Sequence, residues 1–588
     1  VARAKQRGIM MPIRIVKGAY WDAETIEAEA HSFDAPEFLN KEETDLHFRQ
    51  LTIAIFKDHP HVQLVIASHN FSDHTFVEVV RGRHYPSLPE IEHQCLHMTY
   101  EALSTGMQKM GWVVRNYLPV GSLLVGMAYL VRRIMENSSQ VGVLMMMRSH
   151  KRGLASRSPQ EMFLERVEQR KVEVDFSASK LTSHFFNLTP VRLYLEDDRF
   201  HFNYVLKQFQ NHHLGKSYEN SFKIDGDWHE VVSSSDPSIL VGKIRFALTA
   251  DALRAVELAE SSYNSGKWAQ LSPYARASFL VAAANIMSAK RNELASLICY
   301  EAGKAIPEAL ADIDEAVDFM NFYAREEVKI HKKMPNLISR GVILVVAPWN
   351  FPLAIPCGMT VSSLVAGNSI VLKSAKHTPL IAQSMIDILH QAGVPKDVLI
   401  HLPGKGSEIG DDLTADPRLA GVVFTGSKEV GMRIAHQVGK RVVHNKLYDR
   451  YYPTKVITEM GGKNGIIVTA NAELDETVAG ILYSAFGHSG QKCSACSRVM
   501  VDNRVKERLI YRLKEACLDL KVGKAFDHAT YLNPLIAAGE KSRLIEKVKE
   551  ARAEGINSGG RVYVDRSTED LPGYCIGPTL IELPAHRG

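Results

Sequence analysis

Short apolar runs that end on polar residues recur along most of the chain, with amphipathic stretches between them. PIRIVKGAYW (12–21) and VQLVIASHN (62–70) read as buried strands whose ends carry Lys, His and Asn. The strand–helix alternation over residues 1–150 predicts parallel β/α units. A β/α barrel places its chemistry at the C-terminal ends of such strands. Residues 151–215 break the pattern, being rich in charge, His and Asn without a strand order, and read as a helical connector. A second alternation begins near residue 216. SPYARASFLVAAANIM (272–287) predicts a helix, with Ser272 as N-cap, Pro273 at the first helical position, and Ala277, Leu280, Ala284 and Met287 on one face. GVILVVAPWN, NSIVLKSA, DVLIHLPGKG and GVVFTGSKEVG then alternate with helical stretches, which predicts an open, doubly wound α/β sheet. Beyond EMGGKN, IIVTA and VMVDN predict a further α/β layer.

The length of 588 residues allows several domains, and 45% apolar with 23% charged residues is ordinary for a folded chain that buries a large core. A net charge of +4 gives no global field favouring nucleic acid. The apolar stretch 342–367 is interrupted by Pro348, Asn350, Pro352 and Pro356, so it does not read as a membrane span. The seven cysteines are an odd number. Five of them, Cys95, Cys299, Cys357, Cys517 and Cys575, lie far apart in sequence. This favours a reducing compartment over a disulfide scaffold, and the expectation is a cytoplasmic protein. The opening VARAKQRG, without methionine, fits a fragment.

The other two cysteines stand three apart in GHSGQKCSACSR (487–498). A structural zinc site would need a second pair or spaced histidines, and neither is present. A redox pair would sit at a helix start after a strand. A single nucleophile is the third reading, with Gly487 and Gly490 turning the backbone tightly before Cys493, and with helix amides stabilising the thiolate if a helix begins there. The segment alone also admits two buried, inert thiols.

FGHSGQKCSACSR resembles the nucleophile segment of the aldehyde dehydrogenases, above all their glutamate-semialdehyde branch. APWNFPLAIP, VLKSA, VVFTGSKEVG and ITEMGGKN resemble further signatures of that family, in the same order. The resemblance implies that Cys493 attacks an aldehyde and that the Asn350 amide and the Cys493 N–H hold the oxyanion. It implies that Glu459 activates the water that hydrolyses the thioester. Cys496 has no role in this scheme. Trp349, Lys373, Gly406, Gly410, Phe424, Thr425, Gly426 and Ser427 are implied to line NAD, Lys373 reaching the adenosine ribose and Gly426–Ser427 offering amides to the pyrophosphate. Lys376 stands where many members have an acid toward the ribose 2′-hydroxyl, so NADP is admitted beside NAD. KSAK and HNKLYDRYYP depart from the family pattern, the second as an insertion.

PIRIVKGAYWD, IASHN, EHQCLH and GMAYLVRRIMEN resemble the second half of the proline dehydrogenase barrel. Both resemblances on one chain are the arrangement of the bifunctional proline utilization A family. In that family, residues matching Arg14, Lys17, Gly18, His69, Asn70, Gln94 and Leu96 line FAD. Residues matching Tyr117, Tyr129, Arg132 and Arg133 hold proline, the two guanidinium forks gripping its carboxylate. The implied fold is α/β: half of a (βα)8 barrel over 1–150, a connector over 151–215, a Rossmann-type NAD-binding domain over 216–458 and a nucleophile-bearing α/β catalytic domain over 459–588. The implied function is proline catabolism to glutamate, through NAD-dependent oxidation of the glutamate γ-semialdehyde formed from pyrroline-5-carboxylate. The alternatives are oxidation of another aldehyde and a non-catalytic scaffold. A quinone electron acceptor, a homo-oligomer and peripheral attachment to the inner membrane are expectations for the parent, with no metal and no nucleic acid. Half a barrel leaves the further expectations that this chain binds no FAD stoichiometrically, and that a C-terminal segment holding the nicotinamide ribose and the oligomerisation strand lie beyond it.

Overall fold

A computed structural model describes residues 2–17, 24–26, 28, 38, 41–57, 61–68, 70–88, 90–96, 101–118 and 185–583. Gly18, His69, Tyr129, Arg132 and Arg133 lie outside the described residues. Contacts divide the chain into two compact units, Val1–Glu173 and Val174–Gly588.

The first unit carries a four-stranded parallel sheet in sequential order: β1 (Met11–Val16), β2 (Val62–Ala67), β3 (Glu92–Leu96) and β4 (Val113–Tyr117). Helices Lys41–Lys57, Phe71–His84 and Glu101–Lys109 alternate with these strands. Strand side chains alternate between faces. Ile15, Leu64 and Ile66 pack with Phe48, Phe56 and Val77 of the first two helices in one core, which defines the helix-covered face. Asn70 caps the second helix, its side-chain oxygen accepting from the Ser72 N–H at 3.0 Å. Three residues on, the fully buried Asp73 is paired with Lys17 at 2.6 Å and accepts from Ser68 at 2.7 Å.

The second unit is built on a five-stranded, wholly parallel sheet. Its small N-terminal sheet has the order β5-β7-β6, with β5 (Lys216–Tyr218), β6 (Trp228–Ser233) and β7 (Asp236–Arg245). The large sheet has the order β10-β9-β8-β11-β14, from β8 (Val342–Val346), β9 (Ser369–Lys373), β10 (Leu399–His401), β11 (Leu419–Gly426) and β14 (Lys455–Met460). The chain runs outward from β8 to one edge, returns, and runs out to the other, as a doubly wound sheet does. Both faces are covered. Ile343, Val345, Ile370 and Leu372 join one core, while Val342, Leu344, Val371 and Val422 join the other. That is why these strands read as unbroken apolar runs. The helix predicted at 272 is Pro273–Ala289, with Ser272 accepting from the Ala275 N–H at 3.1 Å and Ala277, Leu280, Ala284 and Met287 buried.

HNKLYDRYYP forms most of a hairpin, β12 (Val442–Asn445) with β13 (Arg450–Pro453). The buried Asn445 ties it down by donating to the Tyr263 hydroxyl at 2.8 Å and the Ser339 carbonyl at 3.0 Å. The last layers are β15 (Asn464–Val468) parallel to β16 (Cys496–Val501), and β17 (Val562–Asp565) antiparallel to β18 (Thr579–Ile581). Within the stretch read as a connector, Leu188, Val191 and Leu193 pack on the large core. Helix Glu196–His212 buries Phe202, Leu206 and Phe209 in it. These residues are part of the second unit because they supply apolar surface that the charge-rich composition hides. Among the described residues no helix is long and apolar enough to cross a membrane.

Candidate active site

Every strand of the large sheet delivers candidate residues at or just beyond its C-terminal end. β8 leads into Trp349 and Asn350, and β9 ends on Lys373. Gly406 and Gly410 follow β10, β11 ends in Phe424, Thr425 and Gly426 before Ser427, and β14 carries Glu459. β11 and β14 are in register with Thr425 beside Glu459. The open end of a parallel sheet is where such folds bind ligands. β14 is an edge strand, and Glu459 is exposed on it.

Cys493 is exposed, whereas Cys496 is buried and donates its thiol to the Arg498 carbonyl at 3.3 Å. All seven cysteines are free thiols. No helix begins at Cys493; it lies in a turn between a short 3-10 turn, Gly487–Gly490, and β16. The helix considered as a source of stabilising amides is therefore absent at Cys493. Gly490 takes a left-handed φ of 73°, but Gly487 does not; His488 and Ser489 do so in its place, at 49° and 54°. Asn464, in the ITEMGGKN segment, donates to the Cys493 carbonyl at 2.8 Å. Gly462 leaves room for the same approach, since a Cβ there would stand a tight 3.2 Å from that carbonyl oxygen.

The Asn350 side-chain nitrogen donates to the Gln491 carbonyl at 2.9 Å, and its side-chain oxygen accepts from the Phe351 N–H at 3.1 Å. The two contacts set which way the amide faces. One amide hydrogen is engaged with Gln491 and the second is left for a substrate oxygen. The geometry thus brings Asn350 onto the segment carrying Cys493, two residues before the thiol. Beneath this loop lies a fully buried ion pair, Lys304 to Asp312 at 3.0 Å. The Lys304 ammonium stands 4.0 Å from the Phe351 ring centroid, and Asp312 accepts from the Ala354 N–H at 2.6 Å. Lys492, next to the thiol, pairs with Glu308 at 2.5 Å.

On the cofactor side, Lys373 is buried, and burial, with Lys376 adding repulsion, lowers its pKa to about 8. No carboxylate pairs with it among the described residues. A buried ammonium without a counter-charge suits a ligand that brings hydroxyl or phosphate oxygens. A Cβ on Gly406 would stand 3.8 Å from its Nζ. Behind it the buried His401 contacts Gln383 at 2.7 Å and Ser374 at 2.9 Å, and burial beside Lys373 lowers its pKa to about 3. Ser427 caps helix Lys428–Val438, accepting from the Val430 N–H at 3.4 Å. These groups fit a dinucleotide.

In the first unit, register places Arg14, Gln94, Leu96 and Tyr117 on one face of the sheet, the face opposite Ile15 and Ile66. Arg14 aligns with Val65 and Val65 with Glu92; Ala67 aligns with Gln94 and Leu96 with Tyr117. Arg14 and Tyr117 are exposed there. Arg14 has no ion-pair partner among the described residues, so it is free for an anionic ligand. Lys17 and Asn70 are differently engaged, the first with Asp73 and Asp45, the second as a helix cap.

The aldehyde dehydrogenase family model matches residues 225–586, and the proline dehydrogenase model matches residues 1–145. The chain belongs to the aldehyde dehydrogenase family. A 1-pyrroline-5-carboxylate dehydrogenase of Geobacillus sp. strain WCH70 is 37% identical over 360 residues, covering 59% of this chain and 68% of that relative. The bifunctional protein PutA of Klebsiella aerogenes is 30% identical and aligns with 99% of this chain, which spans 45% of the relative's length. Among solved structures, proline utilization A from Bdellovibrio bacteriovorus, inactivated by N-propargylglycine, matches with a TM-score of 0.72 and 30% identity, over 98% of this chain and 60% of that one. A 1-pyrroline-5-carboxylate dehydrogenase from Thermus with bound NAD matches at 0.62 and 29%, over 68% and 78%. The chain carries two oxidoreductase segments in the order of the bifunctional proteins. Asn533 and the Lys304–Asp312 pair support the site without belonging to any motif assigned from sequence, and His488 and Gln491 lie inside GHSGQKCSACSR without a role assigned to them there. Only the burial of polar side chains exposes them.

Proposed function

We propose that the second unit oxidises glutamate γ-semialdehyde to glutamate with NAD as acceptor. The first unit belongs to a flavin-dependent proline oxidation site of the longer bifunctional protein. The observation that carries the first reading is the joining of Asn350 to the Cys493 segment at the open end of the five-stranded sheet, whose edge strand bears Glu459.

In this reading the Cys493 thiolate adds to the aldehyde carbon. The second Asn350 amide hydrogen and the Cys493 N–H take the resulting oxyanion, a pair of donors each worth about 10²–10³ in rate. NAD, when bound, accepts the hydride that leaves this carbon. The carbonyl re-forms as a thioester on Cys493. Glu459 takes a proton from water, the hydroxide displaces the thiolate, and glutamate leaves. Trp349, Lys373, Gly406, Gly410, Phe424, Thr425, Gly426 and Ser427 hold the dinucleotide, with Lys376 admitting the 2′-phosphate of NADP.

On the open face of the four-stranded sheet, Arg14, Gln94 and Leu96 would hold FAD, which supplies two-electron oxidation when bound, and Tyr117 would face proline. Lys17, Gly18, His69, Asn70, Tyr129, Arg132 and Arg133 complete that proposal. Its product, pyrroline-5-carboxylate, opens with water to the semialdehyde. A quinone as electron acceptor, a homo-oligomer and a cytoplasmic, peripherally membrane-bound location belong to the same proposal for the longer protein.

NADH formation from pyrroline-5-carboxylate, followed by absorbance beside simple aliphatic aldehydes, tests it. The expected result is a kcat/KM for the semialdehyde at least about tenfold above that for propanal, a preference of about 1.4 kcal/mol. Equal rates point to another aldehyde. NADH formation from neither, by the bifunctional parent, points to a scaffold.

A further inference from the structure

The turn before Cys493 is anchored by two buried polar residues that the chemistry above does not use. His488 and Asn533 are 1% and 0% exposed. The Asn533 side-chain nitrogen lies 3.1 Å from His488 Nδ1. An amide nitrogen only donates, so Nδ1 accepts and the ring proton sits on Nε2. Burial, reinforced by Lys304 and Lys492, holds the imidazole pKa well below its ordinary value and keeps the ring neutral. Nε2 is buried without a hydrogen-bond partner among the described residues.

The backbone here is held in a costly shape. His488 and Ser489 both occupy the left-handed region, which non-glycine residues enter only when their surroundings enforce it. The enforcing contacts come from one segment, 533–536. Ser489 donates to the Asn533 carbonyl at 2.5 Å. Gln491 donates from its side chain to the Pro534 carbonyl at 3.3 Å and accepts from the Ile536 N–H at 3.0 Å. The His488 carbonyl receives both Gln491 donors, the main-chain N–H at 3.0 Å and the side-chain amide at 3.2 Å. Gln491 is thereby fixed, and its own carbonyl is the acceptor that orients the Asn350 amide.

We propose that His488 and Asn533 form a positioning pair that fixes, through Gln491, the direction of the Asn350 amide toward the reacting oxygen. This rests on the oxidation proposed above. Neither residue touches substrate. Their effect is on where the oxyanion donor stands, and a shift of about 1 Å there is worth about 10²-fold in rate.

His488→Phe tests it. The change keeps the ring volume, and one Asn533 amide hydrogen stays on the Pro534 carbonyl at 3.1 Å while the other loses its acceptor. The expected result is a kcat lowered about ten- to hundredfold, with KM for NAD and the rate of Cys493 alkylation by iodoacetamide within about twofold of wild type. His488→Gln, which supplies an acceptor and a donor again, recovers about tenfold of the loss. Wild-type kcat in His488→Phe overturns the pair. So does a parallel fall of kcat, alkylation rate and melting temperature, or a His488→Gln no better than His488→Phe. If the wild-type bifunctional parent forms no NADH, the reading of the reaction fails by itself. The pair is then decided by the Asn350 side-chain amide signals in 15N–1H spectra: moved in His488→Phe and restored in His488→Gln they support it, and unmoved in His488→Phe they overturn it.

Discussion

Two parallel sheets in this chain carry candidate residues, and they do so differently. The four-stranded sheet of the first unit buries one face under helices and leaves Arg14 and Tyr117 exposed on the other. The five-stranded sheet buries both faces, and its chemistry sits only at the strand ends. A ligand on the first sheet would lie across a face, reading alternate residues of successive strands. A ligand on the second meets loops, turns and helix starts. The difference teaches how far a local change should reach. On the open face a side chain is lost with its own contact. At the covered sheet's end, loops are propped by buried polar groups, and a change several residues away can move the site.

The largest effect expected is at the exposed thiol. Cys493→Ala should lower NADH formation from the semialdehyde by about 10⁴-fold or more, while NAD binding, followed by tryptophan fluorescence, is retained. Cys496→Ala, removing a buried thiol hydrogen-bonded to Arg498, should change the rate by less than about tenfold. Equal losses in the two variants would break the assignment of one nucleophile and one packing residue.

Next comes the propped loop. Lys304→Met leaves Asp312 as an uncompensated buried charge, and urea unfolding of the second unit should show a loss of about 3–5 kcal/mol. Lys304→Met with Asp312→Leu should recover part of it, because only the Ala354 N–H then lacks its acceptor. The first unit's Lys17–Asp73 pair, partly open to solvent at the lysine, should cost less when Lys17 is replaced. A larger loss at Lys17 than at Lys304 would invert the comparison.

Much of this was legible in the residues. Apolar runs ending in polar residues located the strands, and Ser272 with Pro273 located a helix start, because a cap and a fixed φ are local properties. The ordered motifs named Asn350, Glu459 and Cys493 as candidates, and the structure sets Asn350 just beyond β8, Glu459 on β14 and Cys493 in the turn before β16. What stayed hidden depends on tertiary packing. Nothing in SGQKC announces that His488 is buried against Asn533, forty-five residues on. Nothing in EDDRFHFNYVLKQFQ alone tells a solvated stretch from helix Glu196–His212, which buries three large apolar residues while its first turn carries Glu196, Asp197 and Asp198. The helix imagined at Cys493 failed because the glycines there serve a turn, not a helix start.

A smaller effect sharpens the contrast by pH. His401 sits neutral beneath Lys373 with its pKa lowered to about 3. Below its ordinary value near 6.5 the unfolded chain takes up a proton that the folded chain refuses. Stability is therefore complete above that value and lost as pH falls toward 3. At pH 5 one such histidine accounts for about 2 kcal/mol. His377, lowered to about 4 by burial and Lys376, acts in the same direction. His401→Gln should flatten the fall in urea midpoint between pH 7 and pH 5. An unchanged slope would move the acid lability elsewhere.

The smallest effect separates the two sheets most sharply, because the same physical change is made beside each. Ser272 and Asn70 both cap a helix by accepting a main-chain N–H, and replacing either by Ala should cost about 1 kcal/mol of its own unit's stability. Ser272 lies far in sequence from every candidate residue of the strand ends, so Ser272→Ala should leave aldehyde oxidation unchanged. Asn70 directly follows β2 on the barrel-like sheet, where the proposed flavin site draws on it. In the longer bifunctional protein, Asn70→Ala should therefore weaken FAD retention as well as lower the melting temperature, with bound flavin read by absorbance. Loss of stability with full flavin content would make Asn70 a cap and nothing more, and would leave the open face, with Arg14 and Gln94, to hold that cofactor alone.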